Sequence, residues 1–186
     1  MSVIAEARLR DGTRALIWPL LPSDREAVRE RYETLSAETR EHRFLASVPH
    51  LTDAMLDHLV DEVDGIDHVA LALVVLDDDN VGGPVGVARM IRYRDQPEAA
   101  DVAVTVDDAW QDRGVATALL AELLRARRAG VVQVLTTVAA DNEASLAMLR
   151  RLGRNTVTPA GNNRLDVVVD LPDVPPGPDR SEDVGP

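Results

Sequence analysis

The 186-residue sequence has no cysteine, which excludes disulfides, a thiol nucleophile and any zinc site built on thiolates. No apolar run approaches the ~20 residues that cross a bilayer. The first residues, MSVIAEARLRDGTR, carry acids and lack the apolar segment of a secretory signal. The expectation is a cytoplasmic protein. Positive charge is in deficit, with 20 Lys and Arg against 32 Asp and Glu and a formal net charge of -12. Such a balance disfavours nucleic acid and anionic membranes and favours a cationic partner. His42, His50, His58 and His68 lack the i, i+4 or HExxH spacing of a metal site, so no metal is expected. Ser145 belongs to no nucleophile elbow, and no repeat of solenoid length is visible. What is present, 45% hydrophobic residues, suffices for the core of one domain.

Hydrophobic periodicity orders that domain. Thr13 to Trp18 reads as a strand ended by Pro19 and Pro22, and a helix should begin near the capping-box pattern Ser23 to Glu26. Ala37 to Leu45 and Ala54 to Val63 have helical spacing, the second behind a Thr52/Asp53 cap. Three β-rich runs follow, His68 to Leu76, Val85 to Tyr93 and Asp101 to Val106, separated by DDDN, GGP and RDQPE turn material. Arg113 to Ala129 reads as a helix with Val115, Leu119 and Leu123 on one face and Gly130 to end it. A strand Val131 to Val138, a helix Asn142 to Leu152 closed by Gly153, and a strand Leu165 to Val169 complete the order. Residues 171–186 hold five prolines and four acids without periodicity and read as a disordered acidic tail, leaving 1–170 as the folded domain.

The chemically informative segment is the strand Val102 to Val106, the turn Asp107 to Trp110, and Gln111-Asp112-Arg113-Gly114-Val115-Ala116 opening a helix. The first amides of a helix lack partners and carry partial positive charge, so they bind phosphate. Gly114 and Ala116 are small where a diphosphate must approach the backbone closely.

This loop resembles the coenzyme A loop of the GNAT superfamily of acetyl-CoA-dependent N-acetyltransferases, which reads Q/R-x-x-G-x-G/A after a strand. A second signature of that family, an Asn opening the helix after the next strand, is similar to Ala140-Asp141-Asn142-Glu143-Ala144-Ser145. The order of elements over Leu9 to Asp170 agrees with both. The resemblance implies a mixed α/β fold with a central, mostly antiparallel twisted sheet flanked by helices, and acetyl-CoA as co-substrate. It implies that the backbone of Val104, Thr105 and Val106 bonds the pantetheine arm, and that Gln111, Asp112, Arg113, Gly114, Val115, Ala116 and Thr117 hold the pyrophosphate. Asn142, with Ser145, would face the coenzyme near its thiol, although Asn142 also reads as a plain helix N-cap. Two departures stand out. Asp112 occupies a position often held by glycine, bringing a carboxylate near the pyrophosphate unless it turns to solvent or pairs with Arg113. Leu149 stands where many members carry a tyrosine able to protonate the leaving thiolate.

An amine acceptor is charged at neutral pH and must lose a proton before it attacks. The residue matching the family's strand-borne base is Asp101, on the strand face of Ala103 and Thr105. A water relay suits its short side chain, Glu98 is the fallback, and a solvated strand-end carboxylate is the plain alternative. Leu35 to Arg40 leading to Arg43-Phe44, and Asp67 to Leu71, look like bacterial protein-lysine acetyltransferases. Phe44 would then line the acceptor site or simply fill the core. The expected acceptor is a cationic amine, a protein lysine before a small metabolite. A non-catalytic acyl-CoA-binding module is the rival from another class.

Overall fold

The structure, a computed structural model, describes residues 3–77 and 80–172. A hairpin of β1 (Ala5–Arg8) and β2 (Arg14–Pro19) leads into α1 (Arg25–Thr34), α2 (Ala37–Phe44) and α3 (Asp53–Leu56). Then come β3 (His68–Asp77), β4 (Asn80–Arg92), β5 (Ala99–Val106), α4 (Val115–Arg125), β6 (Gln133–Ala139), α5 (Glu143–Leu152), β7 (Arg154–Gly161) and β8 (Arg164–Asp170). The strands form one sheet in the order β1-β2-β3-β4-β5-β6-β8-β7. Every neighbouring pair is antiparallel except β5 and β6, which α4 joins as a crossover. The mixed α/β class and the mostly antiparallel sheet are those implied by the sequence.

Strand alternation sends side chains to two cores. On one face Ile17, Leu71, Leu73, Met90 and Val102 meet Val115, Leu119 and Leu123 of α4 and Leu146 and Leu149 of α5. On the other, Ala70 and Ala72 meet Tyr32, Leu35, Leu51, Leu56 and Val60 of the α1–α3 layer. The i, i+4 stripe of α4 is wholly buried, each leucine contributing about 1.5–3 kcal/mol. Gly86 permits that docking, since a Cβ there would lie 2.7 Å from Cγ1 of Val115.

Several boundaries differ from the sequence expectation for local physical reasons. The helix expected over Arg113 to Ala129 spans Val115–Arg125, and Gly130, at φ +92°, closes the turn into β6 instead of ending the helix. Ser23 does not cap α1. Pro22 opens a short 3₁₀ turn, and the Asp24 carboxylate accepts the Leu21 N–H at 2.9 Å. The helix expected over Ala54 to Val63 is α3 followed by a π turn over Asp57–Asp61. β1 and β7 are additional strands, and β4 begins at Asn80, taking in the GGP segment with slips in its register to β3. Leu171, placed in the tail by composition, is buried and donates its N–H to Val132 O at 2.8 Å. The rest of the expected tail, 173–186, lies outside the described residues. Among the described residues no helix is long and apolar enough to cross a membrane.

Two polar side chains, His68 and Arg89, are buried in the layer between sheet and helices. Arg89 Nη1 donates to Leu59 O at 2.9 Å and lies 3.3 Å from His68 Nε2. Burial, followed by repulsion from Arg89 and His58, pushes the imidazole pKa down to about 4. Above the unfolded value near 6.5 both states are neutral and the full stability is present. As pH falls from there toward 4, the unfolded chain takes a proton that the folded one refuses, so on the order of 2–3 kcal/mol is lost. In denaturant titrations from roughly pH 7.5 to pH 4.5, His68→Gln should lose stability less steeply than the parent. Parallel curves would contradict the buried neutral imidazole.

Candidate active site

The parallel junction creates the site. β5 and β6 pair only at Ala99 with Gln133 and Ala100 with Val134. Beyond it β5 stays bonded to β4 as far as Val106, and β6 to β8 as far as Ala139. Their facing edges have no strand partner, so a wedge opens from Ala100 and Val134 toward the C-terminal ends of both strands. Val104, Thr105 and Val106 form one edge of it. Val104 and Val106 pack toward α4, whereas Thr105 lines the α1–α2 side.

The N-terminus of α4 stands at the wide end. Gly114 is its N-cap at φ +94°, and the first bond closing on it runs from Ala118 N–H to Gly114 O at 3.0 Å. The amides of Val115, Ala116 and Thr117 precede that bond and are the unpaired donors of the first turn. Val115 buries its side chain in the core and offers only its amide, while Ala116 is half-buried and Thr117 exposed. Gln111 is exposed, its amide nitrogen 3.3 Å from Thr39 Oγ1 and 3.4 Å from Asp108 Oδ1. Arg113 pairs with Asp11 at 3.1 Å and covers the Trp110 ring at 4.7 Å. Asp112 therefore has no partner in Arg113. It is exposed, at φ +59°, and its carbonyl is held by Arg10 Nη1 at 3.3 Å. Asp112→Gly removes a strained left-handed backbone and the carboxylate beside the expected pyrophosphate position. Calorimetry should find CoA bound at least as tightly by this variant; clear weakening would contradict the repulsion.

Two consecutive aspartates fasten this loop to the helical layer. Asp107 lies 3.0 Å from Arg31 Nε, and burial raises its pKa against the pull of Arg31. Asp108 accepts from the Ser36 N–H and hydroxyl, both at 2.8 Å, and from the Thr39 hydroxyl at 2.7 Å. The start of α2 is thus bonded directly to the loop before α4.

Across the wedge, Asn142 caps α5, its Oδ1 accepting from Ser145 N–H at 2.9 Å. The cap leaves its Nδ2 without a hydrogen bond to a described residue. Ser145 is half-buried, and Leu149 lies 1% exposed in the core. Asp101 is the first β5 residue past the junction, half-buried opposite Ile91 on the α1–α2 face. Glu98 stays exposed in the preceding turn. Asp101 interacts electrostatically with Arg43 and Arg89. Tyr93, which the sequence placed only at a strand end, donates its hydroxyl to Leu135 O at 3.1 Å, one residue past the junction on β6. Burial first, then Asp101 and Asp95, raise its pKa, so the phenol stays protonated.

Beside the wedge, an opening of about 400 Å³ separates α2 from the end of β6 and the β7–β8 turn. Glu38, Glu41 and His42 line one wall, and Asp141, Asn163 and Arg164 the other. Arg164 ties the turn to α2 through Leu45 O at 2.6 Å. Phe44 points away from this mouth, its ring edge-on to Tyr32 at 5.8 Å. Among the described residues no three His, Cys, Asp or Glu stand together as a metal site.

The sequence model of the acetyltransferase (GNAT) family matches residues 24–153. Acetyltransferase PA5475 of Pseudomonas aeruginosa is 33% identical over 146 residues, 78% of this chain and 77% of that protein. Acetyltransferase Pat of Mycolicibacterium smegmatis is 34% identical over 170 residues, 91% of this chain, which spans only 48% of Pat. The crystal structure of the GNAT domain of S. lividans PAT superposes with a TM-score of 0.77 at 28% identity, covering 90% of this chain and 96% of that one. With family, curated relatives and fold in agreement, this chain belongs to the GNAT family and is an acetyl-CoA-dependent acyltransferase.

Proposed function

We propose that this enzyme acetylates a cationic primary amine, the side chain of lysine in a protein, by direct attack within a ternary complex. The observation that carries the acceptor class is the mouth beside the wedge, where Glu38, Glu41 and Asp141 outnumber Arg164. Such a mouth concentrates a positive group before it reaches the apex. The likeness to acetyltransferase Pat and to the PAT GNAT domain supports acetyl transfer.

Each residue then has a role. The loop from Gln111 to Thr117, Asp112, Arg113, Gly114, Val115 and Ala116 included, holds the pyrophosphate through its amides and the helix dipole. The unpaired edge of Val104 to Val106 bonds the pantetheine amides, and Asn142 Nδ2 with Ser145 flanks the arm from the opposite jaw. Asp101 takes the proton from the ammonium, directly or through water. The freed nitrogen attacks the thioester carbonyl carbon, the C–N bond forms, and the C–S bond breaks with its electron pair going to sulfur. Leu149 has no proton to give that thiolate. The protonated Tyr93 phenol at the apex, or water, supplies it, and the second proton that the attacking nitrogen releases on becoming the amide restores that donor.

The test is incubation with acetyl-CoA and a cell lysate, mapping acetyl-lysines by mass spectrometry beside polyamines, aminoglycosides and free amino acids. The chain contains no lysine, so every acetyl-lysine above an enzyme-free control belongs to an acceptor. A small cationic amine is the second reading, favoured by the mouth's volume, which falls within the range of small-molecule pockets. Turnover of such an amine without lysine labelling would replace the first reading by the second.

A further inference from the structure

α2 has two working faces. One turns Glu38, Glu41 and His42 to the acidic mouth; the other turns Arg43 and Phe44 to a separate cavity of about 70 Å³ behind β5. Its walls are largely apolar, formed by Tyr32, Leu35, Leu51, Leu59 and Val87 with Phe44, and it adjoins Thr105. Three arginines end in it. Arg31 is anchored through Nε, which lies 2.7 Å from Pro84 O and 3.0 Å from Asp107. Arg89, only 6% exposed, uses Nη1 alone, and Arg43 makes no hydrogen bond to a described residue, lying over the Phe44 ring at 4.9 Å.

Burial pushes both guanidinium pKa values down, that of Arg89 to about 9, and Asp101 opposes the fall in each case. A guanidinium keeps its proton in a folded protein, so both are cations. Two cations against one carboxylate leave one positive charge beside largely apolar walls, with N–H groups of each guanidinium left without a protein acceptor among the described residues, an arrangement that an anion would complete. A guanidinium fork matches a carboxylate in both geometry and charge.

The register says how such a group reaches the forks. Arg89 is directly opposite Ala103, and cross-strand Cβ atoms in that relation lie ~5 Å apart. Ala103, between Asp101 and Thr105 on that face, presents only a methyl, so a chain crossing β5 from the wedge meets Arg89 next. The volume has room for roughly five water-sized groups, enough for two methylenes and a carboxylate.

We infer that the donor site accepts a short acyl group ending in a carboxylate, of the succinyl-thioester class, with Arg43 and Arg89 binding that carboxylate and the apolar walls covering its methylenes. This rests on the wedge being the acyl-CoA site. The transfer step is unchanged: the amine nitrogen bonds the thioester carbonyl carbon, the C–S bond breaks, and the product amide carries the free carboxylate. A carboxylate on the acceptor has the same chemistry, but the acceptor's acidic mouth lies across α2 and repels it.

The experiment compares initial rates with acetyl-CoA, butyryl-CoA and succinyl-CoA on one amine acceptor, with calorimetric affinities of the last two donors. Butyryl and succinyl have the same carbon count and differ in the terminal carboxylate. Succinyl-CoA should exceed butyryl-CoA in kcat/KM and in affinity by about tenfold or more, and Arg43→Met should bring both ratios to about one or below. Wild-type ratios of one or less beside good acetyl transfer overturn the inference and leave the proposed function standing. Absence of transfer to any amine overturns the proposed function, and the affinity ratio still decides the inference. If Arg43→Met fails to fold, the wild-type ratios and Arg43→Lys, which keeps the charge and loses the fork, decide in its place. A free amino acid far better than its carboxamide as acceptor, with no donor preference, would assign the cavity to the acceptor and overturn the inference.

Discussion

Gly114→Glu should abolish CoA binding, with an affinity loss of at least ~100-fold. The position combines three requirements. Its φ of +94° costs a residue with a side chain about 1–3 kcal/mol. A Cβ there would sit 3.3 Å from Arg10 Cγ, a contact that a flexible arginine relieves. The third requirement dominates: a glutamate at the N-cap places its own carboxylate over the unpaired amides of the first turn and repels a diphosphate. Gly114→Ala shares the backbone strain and lacks the charge, so its loss should be much smaller. Calorimetry on variants whose circular dichroism matches the parent separates the two. Unchanged affinity in folded Gly114→Glu would move the coenzyme away from this loop.

Asp101→Asn should lower turnover by ~10²–10⁴-fold while leaving CoA affinity nearly intact, because the residue lies at the apex and not at the pyrophosphate end. The loss should shrink toward high pH, since a lysine amine titrates near 10.4 and less of the acceptor then needs a base. The substitution also removes the negative charge facing Arg43 and Arg89. The acceptor's KM should therefore rise with the fall in kcat, as a cation then approaches two uncompensated guanidinium groups. Thiol release followed across roughly pH 6 to 9 tests both parts. Full activity throughout that range would remove Asp101 as the base and return the role to Glu98 or water.

What could be read from the sequence followed from strong local periodicity. The stripe Val115, Leu119, Leu123 and the run Val102 to Val106 each satisfy one period without conflict, and the loop between them is legible because strand, turn and helix are contiguous. β1 and β7 were not legible. AEAR is four residues long with no β-branched residue, and RNTVTPAG is largely exposed and carries a proline, as edge strands often do. The arginine cavity was hidden by distance, since Arg43 on α2 and Asp101 on β5 meet only through the fold. One signal was visible: Arg89 is the lone charge in the apolar run Val85 to Ile91, where a buried cation needs a reason. Tyr93 could have been found by alternation, which puts it on the face of Arg89 and Ile91.

The wedge between β5 and β6 also bears on how stable the domain is. It is a gap in a hydrogen-bonded ladder, two sheet edges facing each other inside one domain, and unpaired edges are ordinarily a weakness. On the proposed binding mode a pantetheine arm, with amides spaced along an extended chain, would fill that gap as a short surrogate strand. Folding and co-substrate occupancy then become linked equilibria, because only the folded chain holds both edges in place. At a concentration a hundredfold above Kd such a ligand adds ~2.7 kcal/mol to the free energy of unfolding. On that mode the thermal resilience of this domain should follow acyl-CoA supply, the weakest state being the one with the ladder left incomplete.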